Sequence, residues 1–279
     1  MKICDRSLAY TRRVSDAISR KGHLRPDSRA PVSRISPGPL GAPLARWFWV
    51  PEWDLPPGAV HEALTLPFPA CQLVVEPDGV IVYGPVTRAW RRDLTGRGWA
   101  VGALLTPGAA HALLGEVVDW QDRTTRAKGA EGLRAEVGAV MDGDDPVDVR
   151  HADAARRVEE WLVARAGDAV ATDPEAASAA RLVDLADCSP DLVRVPDLAD
   201  ALGMSVRTVQ RLAASHVGMS PAAMIRRRRL QEAAERVRRE PGADLATVAA
   251  DLGYSDHAHL TREFVRVLGF TPSGYRAEP

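Results

Sequence analysis

Leu198-Ala199-Asp200-Ala201-Leu202-Gly203-Met204-Ser205 and Val248-Ala249-Ala250-Asp251-Leu252-Gly253-Tyr254-Ser255 are two copies of one pattern, fifty residues apart at every position. Downstream, Gly218-Met219-Ser220-Pro221 matches Gly269-Phe270-Thr271-Pro272 at an offset of fifty-one. A repeat decides the architecture before any single motif does. Each copy has the logic of a helix-turn-helix. Ala199 and Ala249 are small where two helices must cross. Gly203 and Gly253 suit the positive φ that ends a first helix. Ser205 and Ser255 are placed to N-cap the second helix. Val209 and Leu212 in one copy, and Leu260 and Phe264 in the other, then point into a core. One such pattern is common by chance; two in register are not.

Between the copies, Ser220-Pro221 opens a helix predicted to run to about Arg239, with Pro in its first turn and Ala223, Ile225, Leu230, Ala233, Ala234 and Val237 on its apolar side. Arg226-Arg227-Arg228-Arg229 spans slightly more than one helical turn, so its members cannot all meet one partner. Arg226 and Arg229 are candidates for phosphate contact; Arg228 with Glu232 at i,i+4 is an intrahelical pair.

In combination these motifs closely resemble the DNA-binding domain of the AraC/XylS family. The resemblance runs from Ala199, Gly203, Ser205, Arg207, Val209 and Arg211 through Gly218-x-Ser-Pro221 and Arg226-x-x-Arg229-Leu230-x-x-Ala233. It continues through Gly253-Tyr-Ser255 and Arg262-x-Phe264 to Gly269-Phe-Thr-Pro-Ser-x-Tyr-Arg276. It implies two helix-turn-helix units joined by the long helix, with recognition helices entering successive major grooves of double-stranded DNA about 34 Å apart. Carried over position by position, it makes Arg207, Gln210 and Arg211 base-facing in the first unit, and His257, Ala258, His259 and Arg262 in the second. Ser205, Ser255 and Thr261 fall at the DNA backbone. The chemistry agrees, since Arg can meet guanine O6 and N7 bidentately and Gln can pair with adenine, while helix N-termini donate N–H groups to phosphates. Ala213 departs from the large aromatic usual at its position, and Ala258 and Leu260 replace the common Ser and Phe. His257 and His259 have a plainer reading as caps of the helix start.

Charge fits this division. Residues 1–35 hold nine Lys/Arg against three Asp/Glu (+6), residues 36–193 hold fourteen against twenty-four (-10), and residues 194–279 hold thirteen against ten (+3). An acidic body with a basic end directs only the end toward a polyanion. A nucleoid-structuring protein without sequence preference fits neither the modest +3 nor Gln and His in the recognition helices.

The rest of the chain predicts an α+β protein: a β-rich mixed N-terminal domain, then an all-α double helix-turn-helix domain. Residues 1–38, basic and Pro/Ser-containing, read as a disordered arm, residues 40–188 as a sensor or dimerisation domain, and residues 192–279 as the DNA-binding domain. Cys71–Glu76 and Val80–Tyr83 flank Pro77-Asp78-Gly79 as a hairpin. Val101–Leu105 reads as a strand entering a helix at Pro107-Gly108, and Asp142–Asp148 as a solvated loop. Two helices follow, Ala154–Ala166 and Pro174–Ala186, the latter with Asp173 as N-cap, serving as core of the first domain, as a connector or as a dimer seam. A Trp-rich start, Pro56-Pro57-Gly58 and Val101-Gly-x-x-x-x-Pro-Gly-Ala-Ala110 are similar to an N-terminal domain of actinobacterial AraC-like regulators. By that analogy the region senses an effector or dimerises. Trp47, Trp49, Trp53 and His61 are candidates to line an effector pocket, although aromatic clusters are more often plain core.

Composition excludes several classes. At 46% hydrophobic and 26% charged residues the chain reads as soluble and globular. No apolar run reaches the ~20 residues a membrane span needs, and no signal-peptide core is present, so a cytoplasmic, nucleoid-associated protein is expected. Cys4, Cys71 and Cys188 are too few and too scattered for a disulfide framework or a four-ligand zinc site. Neither a nucleophile elbow nor a phosphate-binding loop occurs. The expectation is a non-enzyme without metal or cofactor, whose partners are double-stranded DNA, RNA polymerase, a small-molecule effector and a second copy of itself.

Overall fold

Apolar residues alternate through Ala45-Arg-Trp-Phe-Trp-Val-Pro-Glu-Trp-Asp54, so a strand built on them must cover two faces. In the computed structural model, which describes residues 31–65, 68–240 and 242–277, this segment is β2 (Ala45–Asp54). It pairs antiparallel with β1 (Val32–Ile35) on one side and β8 (Val101–Leu105) on the other. The sheet continues through β4 (Gln72–Glu76) and β5 (Gly79–Tyr83) to β9 (Thr124–Arg126), in the order β1-β2-β8-β4-β5-β9. A short β7 (Arg97–Trp99) pairs with the far end of β2, and β3 (Val60–Thr65) with β6 (Trp90–Thr95) forms a separate two-stranded sheet. The expected hairpin is present as β4–β5, turning at Pro77 and Asp78. The expected strand-to-helix passage runs from β8 into α1 (Pro107–Leu114), where Thr106 Oγ1 accepts from the Ala109 N–H at 3.2 Å. The arm reading stops short, because Val32–Ile35 is a paired strand. Residues 1–30 lie outside the described residues.

One sheet face carries Phe48, Val50, Leu73, Val75, Val82, Val101, Ala103 and Leu105. On it pack α2 (Glu131–Met141), through Leu133, Val137 and Met141, and α3 (Val147–Thr172), through Ala154, Ala155, Val158, Leu162 and Ala166. A polar pin fixes the start of α3. Arg150 donates to Glu52 on β2 at 3.1 Å and to the Met141 carbonyl at 2.7 Å, while His151 meets Glu52 and Ser33. On the other sheet face Trp47 packs with Phe68 and Leu104, and Trp49 lies so close over Gly102 that a Cβ there would stand 2.0 Å from the indole.

The C-terminal helices are α4 (Ala176–Cys188), α5 (Val195–Leu202), α6 (Val206–Leu212), α7 (Pro221–Arg239), α8 (Leu245–Asp251), α9 (His257–Leu268) and α10 (Pro272–Ala277), with a π-turn over Ala213–Val217. Among the described residues, the segment from 194 onward therefore holds six α-helices and the π-turn. Helix α4 buries Ala179, Leu182, Val183 and Ala186 against Leu198, Leu202, Val209, Leu212 and Met224. By packing it belongs with the first helix-turn-helix, and the sequence boundary at 188–192 falls one helix late. The seam is sealed by Arg228, 1% exposed, whose guanidinium donates to the carbonyls of Ala186, Ser189, Pro190 and Leu192 at the end of α4.

A fragment beginning at residue 190 loses this apolar face and two of the four carbonyls that receive Arg228, those of Ala186 and Ser189, whereas one beginning at 174 keeps them all. Circular-dichroism melting is expected to give a cooperative transition for the longer fragment and none for the shorter. In the full chain Arg228→Ala should cost about 3 kcal/mol or more in denaturant unfolding, since it strands buried carbonyls and opens a cavity.

Candidate nucleic-acid interface

Each repeat copy folds as helix, tight turn, helix. Gly203 ends α5 with φ +68°, and its Met204 neighbour donates back to the Ala199 carbonyl; Gly253 does the same after α8 with φ +70°, Tyr254 donating to Ala249. A Cβ is disfavoured at both turns. Ser205 caps α6, its Oγ accepting from the Thr208 N–H at 3.1 Å. In the second copy the cap is not Ser255 but Asp256, whose carboxylate accepts from the His259 N–H at 2.6 Å. Ser255 instead meets His259 Nδ1 at 3.2 Å. The extra residue behind the change of offset from fifty to fifty-one thus lies in the turn. Beyond it the copies align at fifty-one: Arg207 with Ala258, Gln210 with Thr261 and Arg211 with Arg262.

The second helices of the two units are α6 and α9. On α6 Arg207, Gln210 and Arg211 are exposed while Val209 and Leu212 are buried. On α9 His257, Ala258 and Arg262 are exposed while Leu260, Phe264 and Leu268 are buried. Two proposed readers depart from a simple outward face. His259 is half-buried with its ring edge-on to Tyr254 at 5.3 Å. Arg211 is exposed, but its guanidinium is paired with Glu175, which lies between α3 and α4; Nη1 donates to Oε2 at 2.9 Å. Thr261 is half-buried, with Oγ1 3.4 Å from His257 Nε2.

The arginine run of α7 is dispersed. Arg226 is exposed, as a phosphate contact requires. Arg229 is turned inward: its Nε donates to the Leu252 carbonyl and its guanidinium lies 4.4 Å over the Tyr254 ring. The phosphate reading of Arg229 is corrected on that ground, because α7 crosses the second unit's turn at this point and draws the side chain into it. Arg227 is buried over Phe68 at 4.4 Å and donates to Asp187 at 3.3 Å; burial pulls its pKa down to about 10. The Arg228–Glu232 pair is present at 3.6 Å.

The N-terminal unit touches both helix-turn-helix units. Gly218, after the π-turn, has φ +69° and sits so tightly that a Cβ would meet Pro85 and Val117 at 2.7 Å. Its repeat equivalent Gly269, φ +86°, faces Arg91, and the Ala89 N–H donates to the Val267 carbonyl at 2.8 Å. The π-turn carries His216 into this contact. Its ring stacks on His111 of α1 at 4.2 Å and meets Asp173 at 2.9 Å and Ser215 Oγ at 2.7 Å. Asp173 does not cap α4 with its side chain as predicted; it follows α3 and accepts from the Glu175 N–H at 2.8 Å. Burial raises the pKa of Asp173, but that N–H and the His216 ring outweigh it and hold the carboxyl below its usual range.

The proposed effector-lining residues are divided. Trp47 and Trp49 belong to the Phe68 cluster, and Trp53 packs with Leu55 and Leu94. His61 is buried on β3 opposite Leu94. A cleft of about 410 Å³ between α2 and α3, lined by Glu136, Val140, Asp145, Arg150 and Arg157 among others, includes none of the four.

Two repeat-related helix-turn-helix units on one connecting helix define a bipartite DNA-binding module. Comparison with known proteins agrees: residues 198–278 match the helix-turn-helix domain family model, and residues 33–126 match "Domain of unknown function (DUF6597)". The transcriptional regulator VirS of Mycobacterium tuberculosis is 36% identical over 110 residues, 39% of this chain and 30% of that protein. A Streptomyces lividans protein named for AraC-like transcription regulation is 38% identical over 85 residues, and the transcriptional activator RhaS of Pectobacterium carotovorum 32% over 79. These matches span less than a third of each relative's length. A ToxT structure from Vibrio cholerae overlays on 82% of this chain and 96% of its own with 11% identity and a TM-score of 0.43, too distant to bear on the N-terminal unit. Residues 198–278 are thus an AraC-type helix-turn-helix domain.

Asp256 lies below its usual carboxyl range, chiefly through the His259 N–H. A depressed carboxyl contributes stability above its unfolded value and loses it as pH falls through the folded one. Asp256→Ala should therefore lower the melting temperature more than Ser255→Ala at neutral pH, and the gap should close in acid.

Proposed function

We propose that this chain is a sequence-specific DNA-binding transcription regulator whose α6 and α9 read successive major grooves. The observation that carries the reading is the matching exposure of Arg207 and Arg211 on α6 and of their repeat equivalents Ala258 and Arg262 on α9, with Gln210 and His257 exposed beside them. Arg226 holds a phosphate. Acting on transcription makes RNA polymerase a partner, and the N-terminal unit, in contact with both helix-turn-helix units, responds to a small-molecule effector or to a second copy of the chain. The reading is non-enzymatic: burial pushes the Cys71 thiol up to about 12, which keeps it from being a nucleophile.

Phosphates repeat identically along any duplex and a guanine edge does not, so the two kinds of arginine must fail differently. On an operator selected from random duplexes, Arg211→Ala should lose about tenfold to a hundredfold in affinity and little on scrambled DNA. Arg226→Ala should weaken both DNAs alike and reduce the salt slope by about one. Equal losses on both duplexes for Arg211→Ala would remove it from the base readers.

A further inference from the structure

Arg211 and Arg262 are repeat equivalents, yet the structure treats them differently. Arg262 is exposed with the Asp256 carboxylate of its own helix start nearby. Arg211 is held end-on by Glu175, both Nη atoms donating to the two carboxylate oxygens, so that the edge suited to a bidentate guanine contact is already filled. Glu175 precedes α4 and reaches α6 from outside the helix-turn-helix. We propose that Glu175 is a gate on base reading: it occupies the guanine-reading edge of Arg211 and must withdraw before the first recognition helix reads DNA. The proposal rests on Arg211 as a base reader.

Three observations support a built gate rather than a passing surface pair. First, the backbone of Glu175 is fixed to the recognition helix it faces. Its N–H donates to Asp173, and Asp173 meets the buried His216 in the π-turn that continues α6. Second, His216 stacks on His111 of α1, and Gly108 of α1 packs so closely on Ala176 that a Cβ there would stand 2.8 Å from the Ala176 side chain. Third, the turn bearing Asp173 and Glu175 leaves the end of α3, the longest helix of the N-terminal core. Displacement of α1 or α3 relative to α6 breaks the Asp173–His216 anchor and carries Glu175 off Arg211 together. Glu116, beside α1, adds a second negative charge near the same guanidinium. The sensor side thus sets carboxylates where a phosphate-lined groove must approach.

The side chains of Arg211 and Glu175 are 57% and 34% exposed, which bounds the effect. A pair this open holds only weakly, so the gate biases binding and does not abolish it. The test is a double-mutant cycle in the full chain. Wild type, Glu175→Gln, Arg211→Ala and the double variant are titrated on an operator duplex selected by the wild type from a random library, and on its scrambled counterpart, with melting followed in parallel. Glu175→Gln should tighten operator binding about two- to fivefold, and the gain should vanish when Arg211 is absent. Asp173→Asn, which loosens the anchor, should give a gain in the same direction with the same dependence on Arg211. A loss of affinity in Glu175→Gln, no change, or a gain that persists with Arg211→Ala overturns the gate: the first makes Glu175 a positioning residue for the reading arginine, and the last leaves only long-range charge. An Arg211→Ala chain that binds the operator as well as wild type overturns the base-reading role itself, and the gate with it.

Discussion

A guanidinium has five donors and cannot shed its charge, so an arginine buried in a protein must find carbonyls or carboxylates to receive it. The organisation of the C-terminal half depends on that requirement at Arg228. Its acceptors are the carbonyls that finish α4, and through them the helix leading out of the N-terminal unit is joined to the helix that carries both helix-turn-helix units. The neighbours divide the remaining directions. Arg227 faces Asp187 and Phe68, and Arg229 faces the turn of the second unit. Arg226 alone of the run is exposed. The run of four arginines is a junction at which three parts of the molecule meet.

That junction marks the limit of what the sequence discloses. The repeat was legible because a left-handed glycine, a small crossing residue and alternate apolar positions are local requirements, written where they act. The direction taken by each of four adjacent arginines is not local; it depends on what packs against α7, and helical periodicity cannot say which of them meets a carbonyl from forty residues away. The same holds for α4. Its alanines fit the N-terminal core as well as the first helix-turn-helix, and only the packing of Leu182 against Leu198 and Met224 assigns it. The cap at Asp256 was missed for a different reason. The fifty-residue register runs through Ser255, and the offset of fifty-one at Gly269 says only that one residue is inserted between them, not whether it precedes the helix or lies inside it.

The N-terminal unit was legible as strands and turns but not as a surface. Apolar runs bounded by Pro/Gly turns located β4, β5 and β8, whereas β2 showed in the sequence only as a Trp-rich start. Trp47, Trp49 and Trp53 crowd together in the sequence, which is why they read as a shared lining. A twisted strand ten residues long spreads such residues apart, and they end in two clusters.

The left-handed glycines Gly218 and Gly269 stand at matching positions of the two repeats, and each is also a place where the N-terminal unit comes to rest. The stretch from Pro85 to Arg91, which leaves β5 and enters β6, reaches one glycine with its first residue and the other with its last. It works as a calliper whose jaws close on equivalent points of the two repeats. The two helix-turn-helix units are thereby held together from outside their own connecting helix as well. A change of length anywhere between Pro85 and Arg91 therefore bears on both repeats at once.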